Sequence, residues 1–200
     1  MDLNLSSEIF ECSHIQRLIN GAINLFPAKS KPERRPISRE LLLKLVSSEA
    51  TQGESKVDRL NGNAAFTMAF AGFMRMGEFT HNQSSLKDPA RFQTENLTRR
   101  CVIQSAAEDH YTLFLPRSKT DYNNTGVRIV IAAAEDNACP YLYIKKLLEG
   151  NLESLDTPLF RFLSSAFIRE RALTTLTKRL RRCRIDPTGI KGHSFRKGAA

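Results

Sequence analysis

Apolar residues recur at helical spacing from residue 8 to about 26, where Ile9, Cys12, Ile15, Leu18, Ile19, Ala22, Ile23 and Phe26 form one stripe of an amphipathic helix. A single helix cannot bury such a stripe within itself, so it must pack on the domain that follows or on one that precedes it. Residues 27–36 break the pattern with Pro27, Pro32 and Pro36 among Lys29, Lys31, Arg34 and Arg35. That composition predicts an extended linker, either a plain solvated connector or one lying on a phosphate backbone. Ser38 can cap a helix that uses Leu41, Leu42, Leu45 and Val46 and stops near Gly53. The most apolar stretch is Asn63 to Met76, apolar nearly all round, which predicts a helix in the middle of the core with Arg75 at its end and Glu78 three residues later.

After a loop containing Asp88-Pro89 the period changes. Residues 97–104, 110–115 and 126–132 are rich in β-branched and aromatic side chains and predict three short antiparallel strands. Turn-forming residues join the last two, with Lys119 near the end of the second strand. Pro140 opens a helix reaching Leu148, residues 158–160 form a short extended apolar plug, and Ser164 or Ser165 caps a long helix. In that helix Phe167, Ile168, Leu173, Leu176 and Leu180 face inward while Arg169, Arg171, Lys178, Arg179 and Arg182 cover the outside. The expected fold class is α+β, mainly helical with a small three-stranded antiparallel sheet.

Charge sharpens this picture. The 200 residues carry a net +9, and residues 161–200 hold eleven Lys/Arg against two acids, which accounts for all of it. A polyanion-facing surface therefore belongs to the last fifth of the chain. Its candidate contacts are Lys178, Arg179, Arg181, Arg182 and Lys197, joined by Arg117 on the hairpin and by Lys29, Lys31, Arg34 and Arg35 in the linker. Cys12, Cys101, Cys139 and Cys183 are scattered without a CxxC pair or a nearby histidine cluster, so neither a metal site nor a disulfide framework is expected. No signal peptide and no run of about 18 apolar residues is found, so the expected setting is intracellular, without a membrane.

The candidate chemistry sits in Gly192-His193-Ser194-Phe195-Arg196-Lys197. If a helix opens after Gly192, an imidazole and a guanidinium three residues apart share a face and can address one anion. The guanidinium would bind two phosphate oxygens as a fork and the histidine would pass a proton. The same spacing also suits a plain solvated helix start, Arg75–Glu78 a plain helix-end ion pair, and Lys119 a solubilising hairpin tip.

In chain order, Ala71-Gly-Phe-Met-Arg-Met-Gly-Glu-Phe79, then Leu115-Pro-Arg-Ser-Lys-Thr-Asp121, then Gly192-His-Ser-Phe-Arg-Lys-Gly-Ala-Ala200 resemble the catalytic domain of the tyrosine recombinase (phage integrase) family. The resemblance covers about residues 33–200. Residues 1–32 are similar to the last helix of that family's core-binding domain and its basic linker. The Ser-Lys-Thr-Asp and His-Ser-Phe-Arg-Lys-Gly-Ala-Ala wording is most similar to Crypton-type recombinases of fungal mobile elements. The resemblance implies cleavage and rejoining of DNA through a 3′-phosphotyrosine, without metal or other cofactor. Arg75 and Arg196 would clamp the scissile phosphate, Glu78 would orient Arg75, Lys119 would be the general acid, and His193 would assist proton transfer. Double-stranded DNA is the implied partner, with self-association on it, and the nucleus the implied location.

The family's nucleophile follows the His/Arg motif, whereas Tyr111, Tyr122, Tyr141 and Tyr143 all precede it. The chain as given is thus expected to be inactive alone, truncated before the nucleophilic tyrosine. The alternatives are a non-enzymatic DNA-binding remnant of a mobile element and a domain like type IB topoisomerase. All these readings of a DNA enzyme require Arg75, Lys119, His193 and Arg196 to meet around one phosphodiester.

Overall fold

The computed structural model describes residues 12–25, 33–118, 121, 125–150 and 153–200, and the side chains of all of these except residues 23 and 24. Lys29, Lys31, Lys119 and Tyr122 lie outside the described residues. The chain divides into two units, Met1–Glu33 and Arg34–Ala200. Within the first, α1 spans Ser13–Leu25 and carries the stripe of Ile15, Leu18, Ile19 and Ala22.

The second unit is built on α3, Lys56–Ala71, in which every residue from Asn61 to Ala69 is buried. It starts earlier than its apolar run predicts. Ser55 Oγ accepts from Asp58 N at 3.0 Å, and the extra turns bury Asn61 and Asn63, whose amides find partners in the interior. It also ends earlier, at Ala71, because Phe73 adopts a left-handed backbone (φ 52°) and turns the chain. Arg75 therefore is not the end of the core helix but the cap of the next one, α4 (Met76–Phe79). Ahead of α3, α2 (Arg39–Leu45) starts from Ser38, whose hydroxyl accepts from Leu41 N at 3.2 Å.

A helix the apolar pattern does not predict, α5 (Pro89–Glu95), follows; Asp88 caps it and Pro89 takes the first helical position. The expected first strand shortens to β1, Val102–Gln104, since residues 99–101 form a 3-10 turn. Strands β2 (His110–Leu115) and β3 (Val127–Ala132) complete an antiparallel sheet in the order β1-β2-β3, with Leu113 between Val102 and Ile129. Tyr111, Leu113 and Leu115 point into the core. Helix α6, Pro140–Glu149, packs on α3. The expected cap at Ser164 or Ser165 is overturned: a small hairpin of β4 (Arg161–Phe162) and β5 (Ser165–Ala166) occupies that stretch, and α7 begins at Arg169 and runs to Arg182. Last comes α8, Ser194–Ala199.

Six phenylalanines bind these pieces together. Phe66 of α3 lies 5.3 Å from Phe195 of α8, which meets the ring of Phe79 of α4 edge-on at 5.9 Å. Phe79 in turn contacts Phe167, against which Phe160 and Phe162 pack. Such pairs contribute about 0.5–1.5 kcal/mol each beyond their buried area. The cluster holds α4 and α8, far apart in sequence, over one piece of core.

Candidate active site

Sequence-distant turns meet because Met76 N donates to Gly192 O at 2.9 Å, which fixes the start of α4 against the turn that enters α8. A side chain at 192 would bring its Cβ within 2.9 Å of Met76 Cβ, so only glycine lets these backbones approach this closely. On the other flank Ile37 N donates to Ser194 O at 2.9 Å and Lys197 Nζ to Arg34 O at 2.8 Å, so the 34–37 segment supports α8.

These joints border a cleft of about 690 Å³ lined by Arg75, Glu78, His81, Asn82, Glu95, Asn96, Arg117, Ser118, Arg169 and His193 among others. Glu78, third residue of α4, reaches back as in a capping box: its Oε2 accepts from Arg75 N at 2.7 Å, and its Oε1 accepts from Arg75 Nη1 at 3.0 Å. Glu78 orients Arg75 through both backbone and guanidinium, and the arginine side chain stays 20% exposed. Only one of the five guanidinium N–H donors goes to that contact. The pair thus holds the helix start and aims a cation at the cleft.

Arg117 is exposed and paired with Glu95 at 3.2 Å, and Arg91 Nε donates to the same carboxylate at 2.9 Å. The hydrogen bond from Arg91 holds the Glu95 carboxyl below its ordinary range. Asn96 knits this wall: its Oδ1 accepts from Asn82 N, while its Nδ2 donates to Ser85 Oγ and Phe92 O. His81 lies inside the wall, 3% exposed, edge-on to Phe92 at 5.2 Å, and neither ring nitrogen has a hydrogen-bond partner among the described residues. Burial pushes its pKa down to about 4, so it is neutral at pH 7.

Arg75, Glu78 and His193 share this cleft, but Arg196 does not line it. Arg196 lines an adjoining hollow with Arg34, His193, Ser194, Lys197 and Ala200, and His193 is the residue common to both. His193 stands just ahead of α8 with a near-helical backbone (φ −96°, ψ −4°), and its carbonyl accepts the helical hydrogen bond from Lys197 N at 3.0 Å.

The basic surface also needs correction. Arg179 is fully buried: Nε and Nη2 donate to Glu54 at 3.0 and 2.7 Å, Nη1 to Asn63 Oδ1 at 2.7 Å and to Leu45 O at 3.1 Å, and its guanidinium lies 5.3 Å from the Phe66 ring. It belongs to the inward face of α7, beside Leu176 and Leu180. Gly62 makes the room, since a Cβ there would stand 2.5 Å from Arg179 Nη2. Arg182 is partly exposed and donates to Ala50 O and Glu54. Lys178 and Arg181 are exposed, as are Arg34, Arg35 and Lys197.

Among the described tyrosines none lines the cleft. Tyr111 and Tyr141 stack at 4.8 Å in the core, and burial pushes the Tyr111 phenol up to about 12. Among the described residues no group of His, Cys, Asp and Glu could hold a metal ion, and no helix is long and apolar enough to cross a membrane.

No family model and no curated protein matches the chain. Among solved structures it is similar to a lambda integrase tetramer bound to a Holliday junction, at 16% identity and a TM-score of 0.49, over 94% of this chain and 51% of that one. It is also similar to a lambda integrase dimer bound to a COC′ core site, at 18% identity and a TM-score of 0.48, over 86% of this chain and 41% of that one. The chain thus spans about half the length, or less, of those proteins.

Proposed function

We propose that residues 34–200 form a tyrosine-recombinase-type domain that binds double-stranded DNA and takes part in strand cleavage and rejoining. The observation that carries it is Arg75, fixed at two points by Glu78 and opening onto a cleft that the His193 turn closes, in agreement with the motif order. A phosphodiester seated there would give two oxygens to Arg75, and the charge that grows on them in a pentacoordinate transition state would be offset by a cation already in place. A tyrosine oxygen would bond to phosphorus as the bond to the 5′ oxygen breaks, and Lys119 would hand its proton to that oxygen, with His193 assisting. Arg196, one hollow away, would complete the clamp only if α8 or the DNA brings it across His193. The motif wording extends the proposal to a Crypton-type mobile element, action in the nucleus and self-association on DNA.

A nicked duplex from which the cleaved end diffuses away should trap covalent DNA on the protein made from its whole reading frame, and Arg75→Ala should abolish the adduct. Salt-dependent duplex binding without any adduct would favour the non-enzymatic DNA-binding alternative, for which Arg196 outside the main cleft is the supporting observation.

Binding itself should run through the exposed cations of α7. Replacing Lys178 and Arg181 together by alanine should lower duplex affinity and reduce the slope of log affinity against log salt by about 2, because each phosphate a cation neutralises contributes about 0.9 to that slope. A fluorescence titration at several salt concentrations measures both; an unchanged slope would remove these two side chains from the interface.

A further inference from the structure

Three arginines line the cleft, and two of them are paired. Arg75 meets Glu78 and Arg117 meets Glu95, whereas the exposed Arg169 side chain makes no hydrogen bond or ion pair with any described residue. The carboxylates of the cleft are engaged elsewhere or turned away. Glu78 Oε1 accepts from Arg75 and from Ser118 Oγ, and Glu95 Oε1 accepts from Arg91 and Arg117. Glu170 is the next residue along α7, and successive side chains of a helix do not face each other. Arg169 is also the first residue of α7, at the positive end of the helix dipole, where a cation is disfavoured. No contact within the described fold accounts for its charge.

Its place beside Arg75 does. Arg169 Nη2 lies 3.6 Å from the point where a Cβ at Gly192 would stand, and the Cβ of Met76, the residue after Arg75, lies 2.9 Å from the same point. We propose that Arg169 is a phosphate-binding residue: it takes the DNA backbone phosphate next to the one held by Arg75, and so fixes the register of the strand in the cleft. Arg75 would spend its fork on both free oxygens of one phosphodiester, so a second guanidinium close by serves the neighbouring linkage, with all five of its N–H donors open among the described residues. This rests on the proposal that the cleft holds duplex DNA, not on strand cleavage.

Titration of a short duplex of mixed sequence at several salt concentrations tests this, whether or not the protein cuts DNA. Arg169→Ala should bind about tenfold more weakly, the size expected for losing hydrogen bonds to a charged group, and its slope of log affinity against log salt should fall by about 0.9, one phosphate's worth. Arg169→Lys should keep the wild-type slope and lose part of the affinity, since it holds the charge without the fork. Urea unfolding of both variants should match wild type, because the side chain has no partner among the described residues to lose. Arg75→Gln removes the other charge and keeps a donor for Glu78; combined with Arg169→Ala it should lower the slope by about 2, the sum of two separate phosphates. A double variant with no lower slope than either single one would put both arginines on one phosphate and overturn the neighbouring placement. Salt-dependent binding with an unchanged slope in Arg169→Ala overturns this inference alone. Wild-type binding that ignores salt sinks the DNA proposal and this inference with it.

Discussion

Arg179→Met is expected to lower the unfolding free energy by about 3–5 kcal/mol while the variant that remains folded binds duplex as wild type does. The side chain is inaccessible, so it cannot meet a phosphate, and its removal strands groups that have no substitute. Glu54, 11% exposed, would lose two of its donors and keep only the 3.4 Å bond from Arg182. Asn63 Oδ1 and Leu45 O would each lose a buried hydrogen bond. Methionine restores much of the volume but none of the donors, and a mostly buried carboxylate left with one long bond to Arg182 is the costliest remainder. Denaturant unfolding measures the loss. Adding Glu54→Leu to Arg179→Met should recover part of it, because the charge is then removed together with its partner. A stability change below about 1 kcal/mol for Arg179→Met, or a matching fall in duplex affinity, would return this arginine to the surface.

The same residue shows where the sequence was readable and where it was not. Alternation in β2 and the capping signals of α2 and α6 depend on neighbours within a few positions, and β2, α6 and the start of α2 stand where the pattern puts them, although α2 ends at Leu45 and not near Gly53. Arg179 looks like its neighbours Lys178 and Arg181. Only the tertiary partners, Glu54 from before α3 and the space above Gly62, make it a core residue. Asp88-Pro89 carried both a cap and a first-turn proline, yet α5 has one buried residue, Phe92, and so almost no apolar stripe to reveal it. The break of α3 depends on the left-handed Phe73, a conformation that its residue type disfavours and no local pattern announces. For the site, Arg75, Glu78 and His193 line one cleft and Arg196 the hollow beside it, an arrangement set by tertiary packing that no local pattern carries. Ser118 and His81 carried no signal by themselves, because a serine beside a lysine and a lone histidine are common in any loop.

His81 should give the protein an acid limb that begins well above the carboxylate range. Its imidazole sits at about 4 in the folded chain against an ordinary value of 6.5. Between those values the unfolded chain holds a proton that the folded one excludes, so stability rises with pH there and falls on acidification. Taking the protein from pH 7 to pH 4 should therefore cost about 3 kcal/mol through this one group, and below pH 4 the loss stops growing as the folded imidazole also charges. Carboxylates held low by partners, such as Glu95 and Asp136, lose stability in the same direction but only in their own, more acidic range. The cause of the histidine shift is burial against Phe92 without a hydrogen-bond partner among the described residues, so an apolar replacement has no proton to exclude. His81→Leu should thus hold its stability from pH 7 to about pH 5 while wild type declines, as followed by urea unfolding at each pH. Parallel curves for the two proteins would mean that water or a partner group reaches the imidazole, and the wall of the cleft would then be wetter than its packing indicates.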